Sequence, residues 1–392
     1  MKKVVITHAK RTAVGSFSGA LSTFSAPQLG SLVIKALLEE SGIDKNLVDE
    51  VIMGNVLTAG IGQAPARQAA IFAGLPEKTE ALTINKLCGS GLKAVMLAQQ
   101  AIACGDADVI IAGGQESMTN APYLLKQART GYRLGHSTVY DSVLIDGLTD
   151  VYNNIHMGSC AESCAKDYSL TREDLDAFAV ASYQKSLTAI KDGKFKDEIV
   201  DVIIKTRAGE TVFNIDEDPG KVNFEKLPSL KPVFDKNGVI TAANASNLND
   251  GAAALLIMSA EKAEELGFNP MVEIVAQSSA AKAPIEFTTA PADAIKKVLK
   301  KANLTKNQID LFEINEAFAV VSLAVNKILD LPTEKINVNG GAIAIGHPIG
   351  ASGARILTTL LYEMKKRNSN YGLASLCIGG GEASALIVKK YI

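Results

Sequence analysis

Two cysteines and one histidine stand in three glycine-rich turns of this chain. Cys88 lies in Leu87-Cys88-Gly89-Ser90-Gly91, Cys377 in Cys377-Ile378-Gly379-Gly380-Gly381, and His347 in Gly346-His347-Pro348-Ile349-Gly350. Glycine takes up φ > 0 without strain and lets a backbone approach a ligand closely, so such turns expose a reactive side chain beside free N–H groups. Two thiols and an imidazole displayed in this way imply covalent thiol chemistry, with one thiol as nucleophile and the other as acid/base. A strand ending at Asn85 and a helix opening near Gly89 would put Cys88 at a helix N-terminus, where the dipole favours the thiolate. The imidazole of His347 can take a thiol proton or donate to an oxyanion. Cys377 ends a strand and opens onto glycines whose N–H groups can hold developing negative charge. A second thiol makes sense where a carbon acid must be deprotonated. Asn315, in Asn315-Glu316-Ala317-Phe318, reads either as a helix N-cap or as a fixed polar group that positions a water or a carbonyl oxygen.

The elements that must carry these turns occur twice. Residues 43–49 resemble 304–310, the small-residue helix opening at Gly91 resembles that at Gly353, and 111–117 resemble 378–384. All three pairs run in the same order at a displacement of roughly 260–270 residues, far too long for a solenoid repeat. Two homologous halves are expected, 1–117 and 259–392, with 249–258 completing the first and 118–248 inserted between them. Both halves alternate strand and helix. Strands are expected at 3–7, 50–56, 82–85 and 108–112, then at 252–258, 272–277, 309–313 and 373–378. Helices are expected at 27–40, 64–73 and 89–104, then at 291–301, 316–329 and 351–366. This alternation implies an α/β protein with crossover helices in packed layers. The insertion has another texture: a polar, aromatic stretch at 123–140, a helix at 171–191 and a turn-rich run at 216–236. That run carries Lys221, Lys226, Lys231 and Lys236. It reads either as a solvated loop or as a lid whose lysines meet a phosphorylated ligand.

Composition sets outer bounds. The 392 residues are 47% hydrophobic, enough for a sizeable core, and the net charge of −2 gives no electrostatic case for nucleic acid. The five cysteines are an odd number in a large chain, so a disulfide framework is not expected and a reducing, cytoplasmic setting fits better. The first residues are too short and too soon charged for a signal peptide, and no apolar run of transmembrane length is expected. His156, Cys160 and Cys164 share one helix face at a spacing of four. Three ligands so spaced do not converge on one tetrahedral ion, so no metal site is expected.

Taken together, the runs 85–94, 315–318, 346–353 and 377–381 resemble the thiolases, of the short-chain acetyl-CoA acetyltransferase type, over essentially the whole chain. Asn244-Ala245-Ser246, Asn249-Asp250-Gly251 and His156-Met157-Gly158 add to the likeness. The resemblance implies a duplicated five-layer α-β-α-β-α fold with an inserted loop domain. It implies Cys88 as acyl-accepting nucleophile, His347 as its activator, and Cys377 as acid/base at the substrate α-carbon. His347 and an Asn315-bound water would form one oxyanion hole, and the N–H groups of Cys88 and Gly379 a second. His156, Met157 and Ser246 would line the coenzyme A and acyl pocket, Phe318 would help close it, and Lys221 would face the nucleotide in place of a missing arginine. The substrates would be coenzyme A thioesters, with no tightly bound cofactor. The protein would be a homo-oligomer, a tetramer built as a dimer of dimers, with no nucleic-acid or membrane partner. Departures from the pattern occur at Ala243 and Asn247, where relatives often have glycine, and at 284–291, which lacks a Met-Gly pair. They bear on chain-length preference and coenzyme A affinity. A degradative 3-ketoacyl-CoA thiolase of broader chain length is the nearest alternative. A β-ketoacyl synthase is disfavoured by Cys377, and a non-catalytic acyl or sterol carrier by the presence of Cys88, His347 and Cys377 together.

Overall fold

Residues 2–207 and 209–391 are described by a computed structural model. Met1 and Ile392, the outer ends of the two expected halves, lie outside the described residues. Among those residues, nine strands form one continuous hydrogen-bonded path. The first half contributes β1 (Val4–Thr12), β2 (Glu50–Gly54), β3 (Glu80–Ile84), β4 (Val109–Ser117) and β5 (Asn249–Ser259). The second contributes β6 (Val272–Ala281), β7 (Leu311–Ile314), β8 (Tyr371–Ile378) and β9 (Glu382–Lys390). The order across the path is β7-β8-β9-β6-β1-β5-β4-β2-β3. Within each half the outer pairs are parallel and the inner ones antiparallel. A parallel bridge from Phe312 to Ile336 stands in the second half where β3 stands in the first. The two halves meet where β1 pairs antiparallel with β6, at Val5 with Glu273 and Ile6 with Val272.

Alternation along the strands decides the layers. On β2, Ile52 faces one cluster while Val51 and Met53 face another; on β5, Leu255 and Leu256 divide in the same way. Period-2 side chains can serve two faces only if each face is covered. The outer face of the first half packs on α1 (Ala26–Ser41) and α2 (Pro65–Phe72). The outer face of the second half packs on α6 (Ala290–Ala302) and α7 (Ala319–Leu329), and α4 (Met157–Asp167) and α5 (Arg172–Lys191) of the insertion add a further cluster against α7. Both inner faces share one cluster around α3 (Ser90–Cys104) and α8 (Ser352–Arg367). The result is the α-β-α-β-α stack. The segment Leu87–Cys104, which contains α3, does have the length and mean hydropathy of a membrane span, contrary to expectation. Its apolar residues are spent inside this central layer.

The central helices cross at their N-termini, where their small residues sit. A Cβ added to Gly353 would lie 2.3 Å from the Leu92 backbone nitrogen, and one added to Gly91 would lie 2.8 Å from that of Ala354. Neither approach leaves room for a methyl group. Gly353→Ala should therefore lower folding stability by about 1–3 kcal/mol in urea unfolding. Gly220→Ala, where an added Cβ meets nothing, should change it by far less. An unshifted midpoint for Gly353→Ala would show that the crossing has slack.

Candidate active site

The crossing brings together the two turns that precede the helices. Cys88 stands two residues before α3, and His347 five residues before α8. Leu87 is held at φ +46°, a conformation uncommon for a non-glycine residue. Ser90 fixes that turn: its hydroxyl donates to the Leu87 carbonyl at 2.7 Å and accepts the Lys86 N–H at 2.8 Å. Gly89 is required because a Cβ there would lie 2.3 Å from Ile378 Cδ1. The Cys88 turn can therefore lie directly against the Cys377 turn.

The N–H groups of Gly379 and of Cys88 itself lie near enough to the Cys88 sulfur to favour the thiolate. Burial outweighs them and pushes the thiol up to about 11. The N–H groups of the turn and burial thus act on the thiol in opposite directions, and burial is the stronger. Cys377 is fully buried at the end of β8, in one cluster with Met157 and Phe287. Its thiol is raised well above the usual range by burial and then by the neighbouring Cys88 thiol.

His347 is 5% exposed. Burial, reinforced by the Arg355 guanidinium, pushes its imidazole down to about 3, so the ring is neutral across the physiological range. Its tautomer follows from Ser352. The Ser352 hydroxyl donates its one proton to the Pro348 carbonyl at 2.9 Å, so its oxygen accepts from His347 Nδ1–H at 2.5 Å. Nε2 keeps its lone pair and lies 3.4 Å from Asn315 Nδ2. Asn315 is not a helix cap: Phe318 occupies that position, and 315–317 lie ahead of it outside any helix. Its Oδ1 is buried without a hydrogen-bond partner among the described residues.

A cavity of about 380 Å³ opens over these groups. Cys88, His156, Met157, Ser246, Phe318, His347 and Gly379 all line it. Cys377 and Asn315 lie behind its wall, each no more than 1% exposed. His156 caps α4, accepting the Gly158 N–H on Nδ1 at 2.9 Å, and stacks on Phe234 at 4.6 Å between ring centroids. The Ser246 hydroxyl donates to the Ala317 carbonyl at 2.9 Å. Lys221 is not brought to the cavity. Glu217, one helical turn earlier, pairs with its Nζ at 2.7 Å, and Ser16 accepts from it at 2.7 Å.

Several residues of consequence were missed in the sequence. Ser352 sits in the same glycine-rich run as His347, and the His-x₄-Ser spacing was the available signal. Phe287, on the turn before α6, lines the cavity and meets Phe318 edge-on at 6.3 Å. The buried carboxylate of Glu116 accepts from Asn55 Nδ2 and from the N–H groups of Val56, Leu57 and Gly350. Glu316 accepts from Ser182, Asn337 and the Ile343 N–H. No sequence pattern distinguishes these two from surface acids.

Comparison with known proteins accords with this arrangement. Residues 4–261 match the thiolase N-terminal domain and residues 268–390 the thiolase C-terminal domain. The chain belongs to the thiolase family. By that membership it is an acyltransferase. It is 55% identical to an acetyl-CoA acetyltransferase of Cupriavidus necator over 392 residues, covering 100% of both chains. The crystal structure of the Bacillus anthracis acetyl-CoA acetyltransferase superposes with a TM-score of 0.98 at 44% identity, covering 100% of this chain and 99% of that one. The Acat5 thiolase from Ascaris suum, solved in complex with coenzyme A, gives 0.95 at 43% identity, covering 100% of both.

The electrostatics make a pH prediction. A thiol near 11 beside an imidazole near 3 forms no resting ion pair at neutral pH. Alkylation of Cys88 by iodoacetamide, followed by peptide mass spectrometry, should rise about tenfold per pH unit from pH 7 to 10. A plateau already reached below pH 8 would reveal a preformed thiolate–imidazolium pair.

Proposed function

We propose that the chain transfers acetyl groups between coenzyme A thioesters, joining two acetyl-CoA into acetoacetyl-CoA and coenzyme A, or running the same reaction backwards. The observation that carries this reading is one thiol and one neutral imidazole, Cys88 and His347, lining a single cavity, with a second thiol, Cys377, buried next to Cys88 behind the wall and the Gly379 N–H near the Cys88 sulfur. One thiol suffices for acyl transfer. The second can assist the departing thiol, but it is required where a carbon acid must be deprotonated so that a C–C bond can be made or broken.

The steps balance without a resting thiolate. Cys88 attacks the thioester carbonyl carbon as its proton passes to His347 Nε2. The carbonyl electron pair moves to oxygen, where the N–H groups of Cys88 and Gly379 hold it. Collapse breaks the carbon–sulfur bond, and the departing coenzyme A leaves as a thiol with the Cys377 proton. Cys377 is now a thiolate and His347 an imidazolium. A second acetyl-CoA loses its α-proton to Cys377, and its enolate oxygen accepts from His347 Nε2–H and an Asn315-bound water. The carbanion attacks the acyl carbon, acetoacetyl-CoA departs, and the Cys88 sulfur regains its proton from His347. His156, Met157 and Ser246 are assigned to the pantetheine and acyl portion. Phe287 and Phe318 at the acyl end favour short chains over the broader degradative alternative.

The coenzyme A nucleotide is assigned outside the cavity described, where Lys221, half exposed beside Glu217, is the cation proposed to face it. The working setting is the cytoplasm. A homotetramer is proposed because apolar side chains of the insertion stand in solvent: Tyr123 is 68% exposed, Tyr152 73% and Leu134 fully so. The division into 1–117 with 249–258, 118–248 and 259–392 is retained as the domain assignment.

Mass spectrometry after adding acetyl-CoA tests the first half-reaction. Cys88 should gain one acetyl group, and Cys88→Ala should gain none. Retention of the adduct in that variant removes Cys88 as nucleophile. Cys377→Ala should still be acetylated by acetyl-CoA, if more slowly, while condensation and exchange of substrate α-protons with deuterated water nearly stop. Normal exchange and normal condensation in a folded Cys377→Ala protein would defeat the two-thiol mechanism.

A further inference from the structure

We propose that the Lys86–Glu382 ion pair is a positioning device that sets the separation of the two N–H groups, Cys88 and Gly379, which hold the acyl oxyanion. The two N–H groups come from opposite halves of the duplicated chain, and no short covalent path fixes their spacing. Lys86 stands two residues before Cys88, and Glu382 three residues after Gly379. The Lys86 ammonium lies 2.5 Å from Glu382 Oε2 and so clasps one turn to the other.

The turn on the Cys377 side needs an external hold. Gly380 and Gly381 sit at φ +84° and +89°, and three consecutive glycines offer no side chain to pack. Its far end is anchored where Ile378 pairs with Glu382 as β8 passes into β9. Its near side rests on Leu87, whose Cδ1 lies 2.9 Å from where a Gly379 Cβ would stand. The clasp acts on both contacts at once, because Lys86 adjoins Leu87 and Glu382 opens β9.

Neither charge lines the cavity over Cys88. Both line a separate cavity of about 390 Å³ whose wall shares Gly147, Met157 and Gly379 with the substrate cavity. Their influence on the reaction travels through the backbone. The side chains are 21% and 38% exposed, so solvent tempers the attraction. Such a pair adjusts geometry by fractions of an ångström and does not hold the fold together. Oxyanion donors are sensitive to displacements of that order.

The proposal rests on Cys88 as nucleophile, so the test begins with the unaltered protein. Its acetylation by saturating acetyl-CoA is followed by rapid quench and intact mass spectrometry. Lys86→Met and Glu382→Gln should each acetylate about tenfold more slowly with an unaltered KM. Alkylation of Cys88 by iodoacetamide, which uses no oxyanion hole and feels Gly379 only through its N–H beside the sulfur, should fall by much less in both. Lys86→Arg, and the exchanged pair Lys86→Glu with Glu382→Lys, should recover most of the acetylation rate. An unacetylated parent overturns the nucleophile assignment and this proposal with it. An acetylated parent beside variants of undiminished rate overturns this proposal alone. Equal losses in acetylation and alkylation, or no recovery in the exchanged pair, also overturn it, since they mark general damage to the turn. If Lys86→Met does not fold, Glu382→Gln, nearly isosteric and partly exposed, carries the same test.

Discussion

The site depends on one backbone contact, the crossing of α3 and α8 at Gly91 and Gly353. These helices are the duplicated counterparts of each other, and each is preceded by a turn that carries chemistry. Packing their small N-terminal residues against each other puts Cys88 and His347 at the same place. Both helix dipoles also point their positive ends there, where anionic intermediates form. Side chains at the crossing would push the helices apart and separate Cys88 from His347. The demand for glycine here is steric, since neither residue has a left-handed φ.

Two buried carboxylates hold the turns that the crossing brings close. Glu116 ties 55–57 to Gly350, just beyond His347, and Glu316 ties the Asn315 segment to α5 and to the short helix Ala342–Ile345 that leads into His347. Both are raised by burial, Glu116 to about 7. Their cost is offset by multiple hydrogen bonds, several from backbone N–H groups that would otherwise be buried without partners. The catalytic turns are irregular backbone inside a dry core, and irregular backbone can lie there only if such acceptors are supplied.

The halves, the insertion and the strand–helix alternation were legible because they are written in periodic apolar residues and a repeated segment order. Cys88, His347, Cys377 and Gly379 were legible because glycine clusters around a lone reactive residue are hard to explain by packing. Residues whose role arises only from the meeting of distant segments were not legible. Ser352 sets the His347 tautomer through a side-chain contact, and Glu116 serves segments up to 234 residues away. The Asn315 segment read as a helix start because 316–329 has helical composition. In the structure its first residues lie outside the helix, and the Ser246 N–H bonds the Ala317 carbonyl at 3.0 Å in place of a helical turn. Lys221 pairs instead with the acid four residues earlier, a local contact that its expected role facing the nucleotide did not take into account.

The raised thiols and the lowered imidazole look at first unsuited to nucleophilic catalysis. They are suited to a cycle in which protons are handed between groups and never released to water. A thiol near 11 and an imidazole near 3 exchange a proton only when a carbonyl carbon is present to take up the sulfur electron pair. Idle thiolate, which would invite oxidation, is thereby avoided. Burial raises Cys377 further, and Cys88 as a neighbour raises it again. That second cause acts only through an ionised Cys88, so at neutral pH it is already absent, and burial alone keeps the Cys377 proton in place. The two thiols are alike in chemistry, and their order of use is set by which one lines the cavity and which lies behind its wall.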